Sequence, residues 1–465
     1  MRVTAEPGAM TSKSGGWFLI AQLTLATLLL GYVSLFLTSP IAQWGADERR
    51  NHHVYLLAVG VFGFVCAHRA VGIRTRGAGG ALFWLALLLP AYAAFQTIPL
   101  PRALIAVLSP ARAELLNSLG PITGVPQWAP LAVSTGPSIT HLFLITAYAV
   151  VFFVAWQVGY ASWSAVVPIL VVAAVQAVFG LSQAMSGAEG FAHGTYTVRN
   201  HFAGFLELAF PFAVCYAAAR WARARSEGRV SFSAALQVCA IAAIALLILL
   251  AVLSSLSRMG VLSCLASLAA MGAFFGLRSR RRLAAAGAVV LIAGVLIASL
   301  APPELILRFS GDFESGRTPV WRDTLQLIKA YPIVGCGLGG YQSAYLKFKT
   351  WGPEFDQDYA HNDYLQFLAE LGVVGFGIGV AFGVAVLWRL FKWGIAMPCR
   401  TAYGAAAQWR AIACAGSLAA ILVHSAVDFN LYVPANATLL AWICGLSAAQ
   451  EACGSHGTAR GSSDT

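Results

Sequence analysis

The chain has 465 residues, of which 58% are hydrophobic and only 11% are charged. An average soluble domain carries about 25% charged residues, so this composition excludes an ordinary soluble protein and predicts a polytopic membrane protein. The formal net charge of +11 is explained by basic loops on one side of a membrane, and it does not indicate a nucleic-acid partner.

Apolar runs long enough to span a bilayer, about 20 residues each, recur along the chain. Twelve spans are predicted, at residues 17–37, 54–72, 80–98, 141–159, 163–184, 201–220, 232–254, 259–277, 283–301, 364–388, 407–427 and 431–449. The first run is too long for a signal peptide, so we expect it to be retained as a helix. The predicted fold is an all-α polytopic membrane protein with about 12 transmembrane helices.

The loops between the runs predict orientation, because cytoplasmic loops carry an excess of lysine and arginine. Basic residues gather after the second, sixth, eighth and tenth spans, within residues 69–76, 220–229, 278–282 and 389–410. Both termini are then cytoplasmic, with an N-terminal tail over residues 1–16 and a disordered tail over residues 451–465. Spans 1–9 occupy residues 17–301, and spans 10–12 occupy residues 362–450.

Two outer segments exceed ordinary loop length. Residues 99–140 are proline-rich and partly apolar, which predicts a short amphipathic helix at the membrane surface. Residues 302–361 lie between spans 9 and 10 and are predicted to form a helical cap over the bundle. The first helix of this cap has apolar residues at helical spacing, namely Trp321, Leu325, Ile328 and Tyr331.

Polar side chains stand at the outer ends of several spans, where burial in lipid is costly. Arg199, Asn200 and His201 open the sixth span. Glu207 lies about two turns further in, so it needs a partner or a water-filled cavity. Arg258 stands in the tight outer turn SSLSRMG, against the usual charge bias of outer loops.

The outer segment adds Arg317 and Arg322, whose separation of five residues puts them on different faces of a helix. Arg317 is near the helix start, where backbone N–H groups attract anions. Guanidinium groups match phosphate oxygens with paired hydrogen bonds. Together with Arg199 and Arg258, these arginines predict a site for a phosphate ligand with an apolar tail.

The stretch DYAHNDYLQF places His361 just before the tenth span. Asn362 is a good N-cap and Asp363 falls in the first turn, so both have a structural explanation. Capping does not explain His361, and histidine suits a general base at neutral pH. Further along, Asp428 follows His424 by four residues, so we expect these two to pair and hold a helix end.

The sequence contains no HExxH motif and no set of cysteine and histidine residues with metal-ligand spacing. We therefore expect neither a metal nor another cofactor. The charge of a bound diphosphate would be balanced by arginine instead.

Five stretches along the second half of the chain carry these residues. They read VRNHFAGFLE, SLSRMG, GRTPVWRDTLQLIKAYPIVGCGLGGY, AHNDYLQFLAELGVVGF and HSAVDFNLYVPANA. Together they resemble the O-antigen ligase and polymerase superfamily. The resemblance implies a GT-C-like glycosyltransferase of the bacterial inner membrane that takes a glycan from undecaprenyl diphosphate at the periplasmic face, without metal or nucleotide.

The resemblance also implies roles for the outer residues. His361 stands where ligases have their catalytic histidine, and Arg199, Arg258, Arg317 and Arg322 would bind the diphosphate. Supporting roles are expected for seven further polar residues, namely Asn200, His201, Glu207, Asn362, Asp363, His424 and Asp428.

The acceptor remains open between members of the superfamily. A ligase transfers the glycan to lipid A–core, and an O-antigen or exopolysaccharide polymerase transfers it to another lipid-linked glycan. We favour a ligase, because the single compact outer loop with one histidine resembles it. A transporter of lipid-linked glycans is the alternative of another class, but it would need internal repeats and ionisable groups near the midplane, which only Glu207 approaches.

Overall fold

The computed structural model describes residues 80–158, 163–187, 190–228, 230–277, 279–310, 316–352, 357–396 and 402–449. These residues form fifteen α-helices, two short 3-10 helices and a two-stranded antiparallel ribbon, so the predicted all-α class is confirmed. The predicted spans at residues 17–37 and 54–72 and both terminal tails lie outside the described residues.

The helices follow one another with short connections. They are α1 (Ala81–Thr97), α2 (Arg102–Leu108), α3 (Pro110–Thr123), α4 (Thr135–Val158), α5 (Val167–Ser186), α6 (Arg199–Ser226), α7 (Phe232–Ser254), α8 (Arg258–Gly276), α9 (Arg280–Leu300), α10 (Pro303–Ser310), α11 (Arg317–Ala330), α12 (Tyr341–Tyr345), α13 (Asp363–Ala396), α14 (Ala402–His424) and α15 (Pro434–Ala448). The 3-10 helices cover Trp163–Val166 and Asn430–Tyr432, and strand β1 (Leu100–Pro101) pairs with β2 (Trp128–Ala129).

Eight helices of the described residues are long and apolar enough to cross a membrane. They are α4 to α9, α13 and α14, and they match eight of the twelve predicted spans. The predicted span at 80–98 forms α1, an apolar helix of 17 residues, and the one at 431–449 forms α15, which has 15 residues. The segment 99–140 contains two helices, α2 and α3, where the sequence predicts one.

The centre of the bundle is α6, which packs against α5, α7, α8, α14 and α15. Every residue from His201 to Ala213 is buried, as expected for a helix surrounded by others. Close approach depends on Gly204, because a Cβ there would clash with the side chain of Asn430. The start of α6 and the segment after α14 are thereby held together.

Helix α13 is broken at Gly372, whose φ of 62° and ψ of −174° are not helical. The glycine-rich loop before α12 fills the break: Cys336 N donates to Ala369 O at 2.9 Å. Gly335 has a φ of 74°, and a Cβ there would clash with the carbonyl of Glu370. The break separates a short segment, which follows His361, from the long apolar segment of α13.

The buried face of α11 differs from the predicted one. Leu325 is 46% exposed, whereas Asp323 and Thr324 are buried. Their polar groups are satisfied, since Thr350 N donates to the Asp323 carboxylate at 2.8 Å and the Thr324 hydroxyl bonds with that of Tyr341. A pattern of apolar residues therefore misses this face, because part of it is polar and internally hydrogen-bonded.

Candidate active site

The carboxylate of Asp428, only 2% exposed, joins segments that are far apart in the chain. His201 Nε2 lies 3.4 Å from its Oδ1, and His361 Nδ1 lies 3.6 Å from the same atom. On the other oxygen, Asn200 Nδ2 donates at 3.0 Å and the Arg317 guanidinium lies 3.9 Å away. Asp428 is the centre of the candidate site, a role that the sequence assigned only as a supporting one.

The environment of Asp428 favours its charged form. Burial alone would raise its pKa, but the neighbouring imidazoles of His201, His361 and His424 hold it well below the usual range. Phe429 N also donates to Oδ1 at 2.9 Å. Asp428 is therefore ionised at neutral pH and can balance a positive charge on His361.

The backbone of His361 is left-handed, with a φ of 49°, which is uncommon for a residue other than glycine. The neighbours fix this conformation. Asn362 Oδ1 accepts from Leu365 N at 3.0 Å, as an N-cap does, and its Nδ2 donates to Ala426 O at 2.8 Å. The imidazole is held against Asp428 yet stays 37% exposed, so a substrate can reach it.

Asp363 does more than begin α13. Its carboxylate accepts from the Ser425 hydroxyl at 2.7 Å and from Leu431 N at 3.3 Å. Asp363 N donates to Ser425 O and to Asp428 O. The start of α13 is therefore bonded to the turn that carries Asp428.

Arg317 contacts Asp428, and three further arginines are linked to Arg317 and to one another, namely Arg199, Arg258 and Arg308. Arg258 donates to the carbonyl of Arg308 at 2.9 Å, and the charges of both act on Arg199. Burial lowers the pKa of Arg317, Asp428 opposes this shift, and Arg258 adds to it. Guanidinium groups that act on one another in this way favour a ligand with several negatively charged oxygen atoms.

Sequence reasoning missed Arg308 and misplaced Arg322. Arg308 belongs to α10, which carries none of the recognised motifs; the signal that could have revealed it is its position one turn after the buried Leu305. The side chain of Arg322 is 67% exposed and contacts Asp323 and Thr350 within the loop helices, so it does not join the other arginines.

His424 pairs with Glu207, and the expected pair with Asp428 is wrong. The Nδ1 atom of His424 lies 3.0 Å from both carboxylate oxygens of Glu207, and both side chains are fully buried. Helix α14 ends at His424, so the helical spacing that would bring Asp428 beside it does not continue. Glu207 thereby has the partner that its depth in the helix demands.

Aromatic rings connect the site with a cavity. Phe429 contacts the rings of His201 and His361 edge-on, and Tyr359 stacks on it at 4.1 Å. Tyr359 also contacts Tyr432, which lines a cavity of about 190 Å³ between α1, α4, α13 and α15. The lining is mainly apolar and suits a hydrocarbon chain.

No metal centre is formed by the described part of the chain, where no group of three or more histidine, cysteine, aspartate or glutamate side chains could hold an ion. That the reaction needs no metal stays a prediction.

Residues 242–380 match the family model described as O-antigen ligase. This match covers less than half of the chain and shows that the segment is similar to O-antigen ligases. The predicted resemblance to the O-antigen ligase and polymerase superfamily is thereby confirmed. Together with the eight apolar helices of the described residues, this similarity indicates a multi-pass membrane enzyme of the glycosyltransferase type. No curated protein matches the chain.

The matched O-antigen ligase segment contains part of the site. Arg258, Arg308, Arg317 and His361 lie within it. The beginning of α6 precedes it, and the turn with Asp428 follows it. The site is therefore completed by residues from both sides of the family domain.

Proposed function

We propose that this protein is an inverting glycosyltransferase that moves a glycan from undecaprenyl diphosphate to a sugar hydroxyl at the periplasmic face of the bacterial inner membrane. One observation carries the proposal: Asp428 contacts both His361, the candidate base, and Arg317, a candidate diphosphate ligand. A base and an anion-binding group that share one carboxylate lie close enough to act on one donor bond.

His361 serves as the general base in this proposal. Asp428 faces Nδ1 and favours a proton there, which leaves Nε2 to accept the proton of the acceptor hydroxyl. The hydroxyl oxygen attacks the anomeric carbon, the bond from that carbon to the diphosphate oxygen breaks, and undecaprenyl diphosphate leaves. The imidazolium that forms is stabilised by Asp428, and such base catalysis contributes about 10²–10⁴-fold.

The arginines bind the diphosphate. Negative charge grows on the leaving group as the sugar bond breaks, so Arg199, Arg258, Arg308 and Arg317 would bind it more tightly in the transition state than in the ground state. We propose lipid A–core as the acceptor, which is the ligase reaction that the matched family description supports.

The test is transfer by purified protein in liposomes that contain an undecaprenyl-diphosphate-linked glycan. We expect product on lipid A–core from the wild type and loss of product with His361→Ala. Product on a second lipid-linked glycan instead would assign a polymerase. Movement of the lipid-linked glycan across the bilayer without transfer would overturn the proposal in favour of a transporter.

A further inference from the structure

A pair of ionisable groups with no part in the proposed chemistry lies inside the bundle. Glu207 of α6 and His424 of α14 are both fully buried, and Nδ1 of His424 lies 3.0 Å from Oε2 of Glu207. Burying two ionisable groups in a membrane protein is expensive, and such groups mark functional positions more often than structural ones. The pair is not the only polar link between these helices, since the Ser417 hydroxyl of α14 donates to Leu208 O of α6 at 2.7 Å.

The pair lies directly beside the turn that carries Asp428. His424 O accepts from Val427 N at 3.1 Å, and the next residue, Ser425, bonds to Asp363. A shift of His424 therefore moves the turn, and with it the carboxylate that contacts His361.

His424 also acts on Asp428 through its charge. Groups from every neighbouring element face that carboxylate: His201 and Glu207 of α6, Arg317 of α11, His361 and Asp363 at the start of α13, and His424 of α14. The positive charge of His424 lowers the pKa of Asp428. The buried Nε2 of His424 has no hydrogen-bond partner within the described residues, so the bond to Glu207 satisfies only one of the two ring nitrogens.

We propose that Glu207 and His424 are positioning residues of the transfer reaction: Glu207 holds a positively charged His424, which fixes the turn bearing Asp428 and supplies a buried positive charge beside the Asp428 and His361 pair. The inference rests on the proposed function, because it gives the pair a role through the base. Both side chains are fully buried, so neither is placed to touch substrate.

The experiment distinguishes the effect of the charge at position 424 from the effect of the side chain's shape. His424→Gln removes the charge, His424→Lys keeps it opposite Glu207, and Ser417→Ala removes a buried hydrogen bond between the same helices. Each protein is purified in full length, its unfolding temperature is measured, and its initial transfer rate is followed against pH.

The acid limb is the part of the curve of transfer rate against pH in which the rate falls as the pH falls. We expect His424→Gln to move the acid limb to higher pH by about one unit, because loss of a nearby cation makes the coupled Asp428 and His361 pair easier to protonate. Its maximal rate should fall about 10- to 100-fold, as a misplaced catalytic group predicts. His424→Lys should keep the acid limb of the wild type. Ser417→Ala should lower the unfolding temperature without moving the limb.

An acid limb in His424→Gln that coincides with that of the wild type would overturn the inference. So would equal shifts in His424→Gln and His424→Lys, or failure of both to fold while Ser417→Ala folds, because the pair would then be structural only. The proposed function fails separately, namely if the wild type transfers no glycan or if His361→Ala is as active as the wild type.

Discussion

His201 and His361 face the same oxygen atom of Asp428, at 3.4 Å and 3.6 Å. They differ in access, since the His201 side chain is 7% exposed and that of His361 is 37% exposed. One histidine is therefore placed to meet a substrate, and the other is placed to support the carboxylate.

This difference predicts unequal effects of removing the two rings. His361→Ala should lower the transfer rate by at least about 100-fold, because the general base is lost. His201→Asn should lower it by about tenfold, since Asp428 loses one of several partners. Rates are measured in proteoliposomes at equal amounts of folded protein, and a larger loss for His201→Asn would reverse the assignment.

The paired hydrogen bonds of Arg317 can be tested by a change that keeps its charge. Arg317→Lys removes the guanidinium fork, so the transfer rate should fall by about 10²-fold. Arg322→Lys is the matched control on the same helix, because Arg322 contacts Thr350 and is largely exposed. Full activity of Arg317→Lys would show that a point charge suffices.

Arg308 should contribute to donor binding. Arg308→Gln removes one of four charges around the proposed diphosphate site, and we expect the KM for the lipid-linked donor to rise about tenfold. Arg102→Gln is a control at an exposed arginine that donates to Asn117. Equal effects of the two variants would mean that Arg308 acts only through net charge.

The ionised state of Asp428 predicts how stability depends on pH. Its pKa is lowered in the folded protein, so its contribution is complete above the ordinary value for aspartate and is lost as pH falls through the folded value. Asp428→Asn should therefore be less stable than the wild type by about 2 kcal/mol at neutral pH. The difference in unfolding temperature should shrink only below about pH 4, and a difference that fades between pH 7 and pH 5 would contradict this.

The break in α13 makes a structural prediction. Gly372→Ala should destabilise the protein by about 1–3 kcal/mol or more, because its dihedral angles are essentially restricted to glycine and a Cβ would clash with Ile333 O. Gly377→Ala in the same helix is the control, since a Cβ there has no atom within 4 Å. Equal unfolding temperatures for the two variants would show that the break is not required.

Local patterns predict the spans and the residues that stand at their ends. Hydropathy located all eight long apolar helices of the described residues. The cost of polar groups at a membrane singled out Arg199, Glu207 and Arg258, and His361 was selected because helix capping does not explain it. The partners could not be predicted in the same way. Asp428 meets His201 because Gly204 lets α6 approach the segment after α14, and no local pattern encodes that approach. The expected bond from His424 to Asp428 failed because it assumed a helix beyond the residue where α14 ends.

The hydrogen bonds that close the break in α13 also set the order in which the site can be completed during synthesis. Gln96 Nε2 of α1 donates to Val334 O and Glu370 O, and the Tyr92 hydroxyl donates to Leu371 O; these partners are 238 to 279 residues apart. A chain is made from its N-terminus, so α1 exists long before its acceptors emerge. The segment that follows His361 is therefore fixed only after the ribosome has passed Gly372, and the active centre is completed later still, when Asp428 has been made.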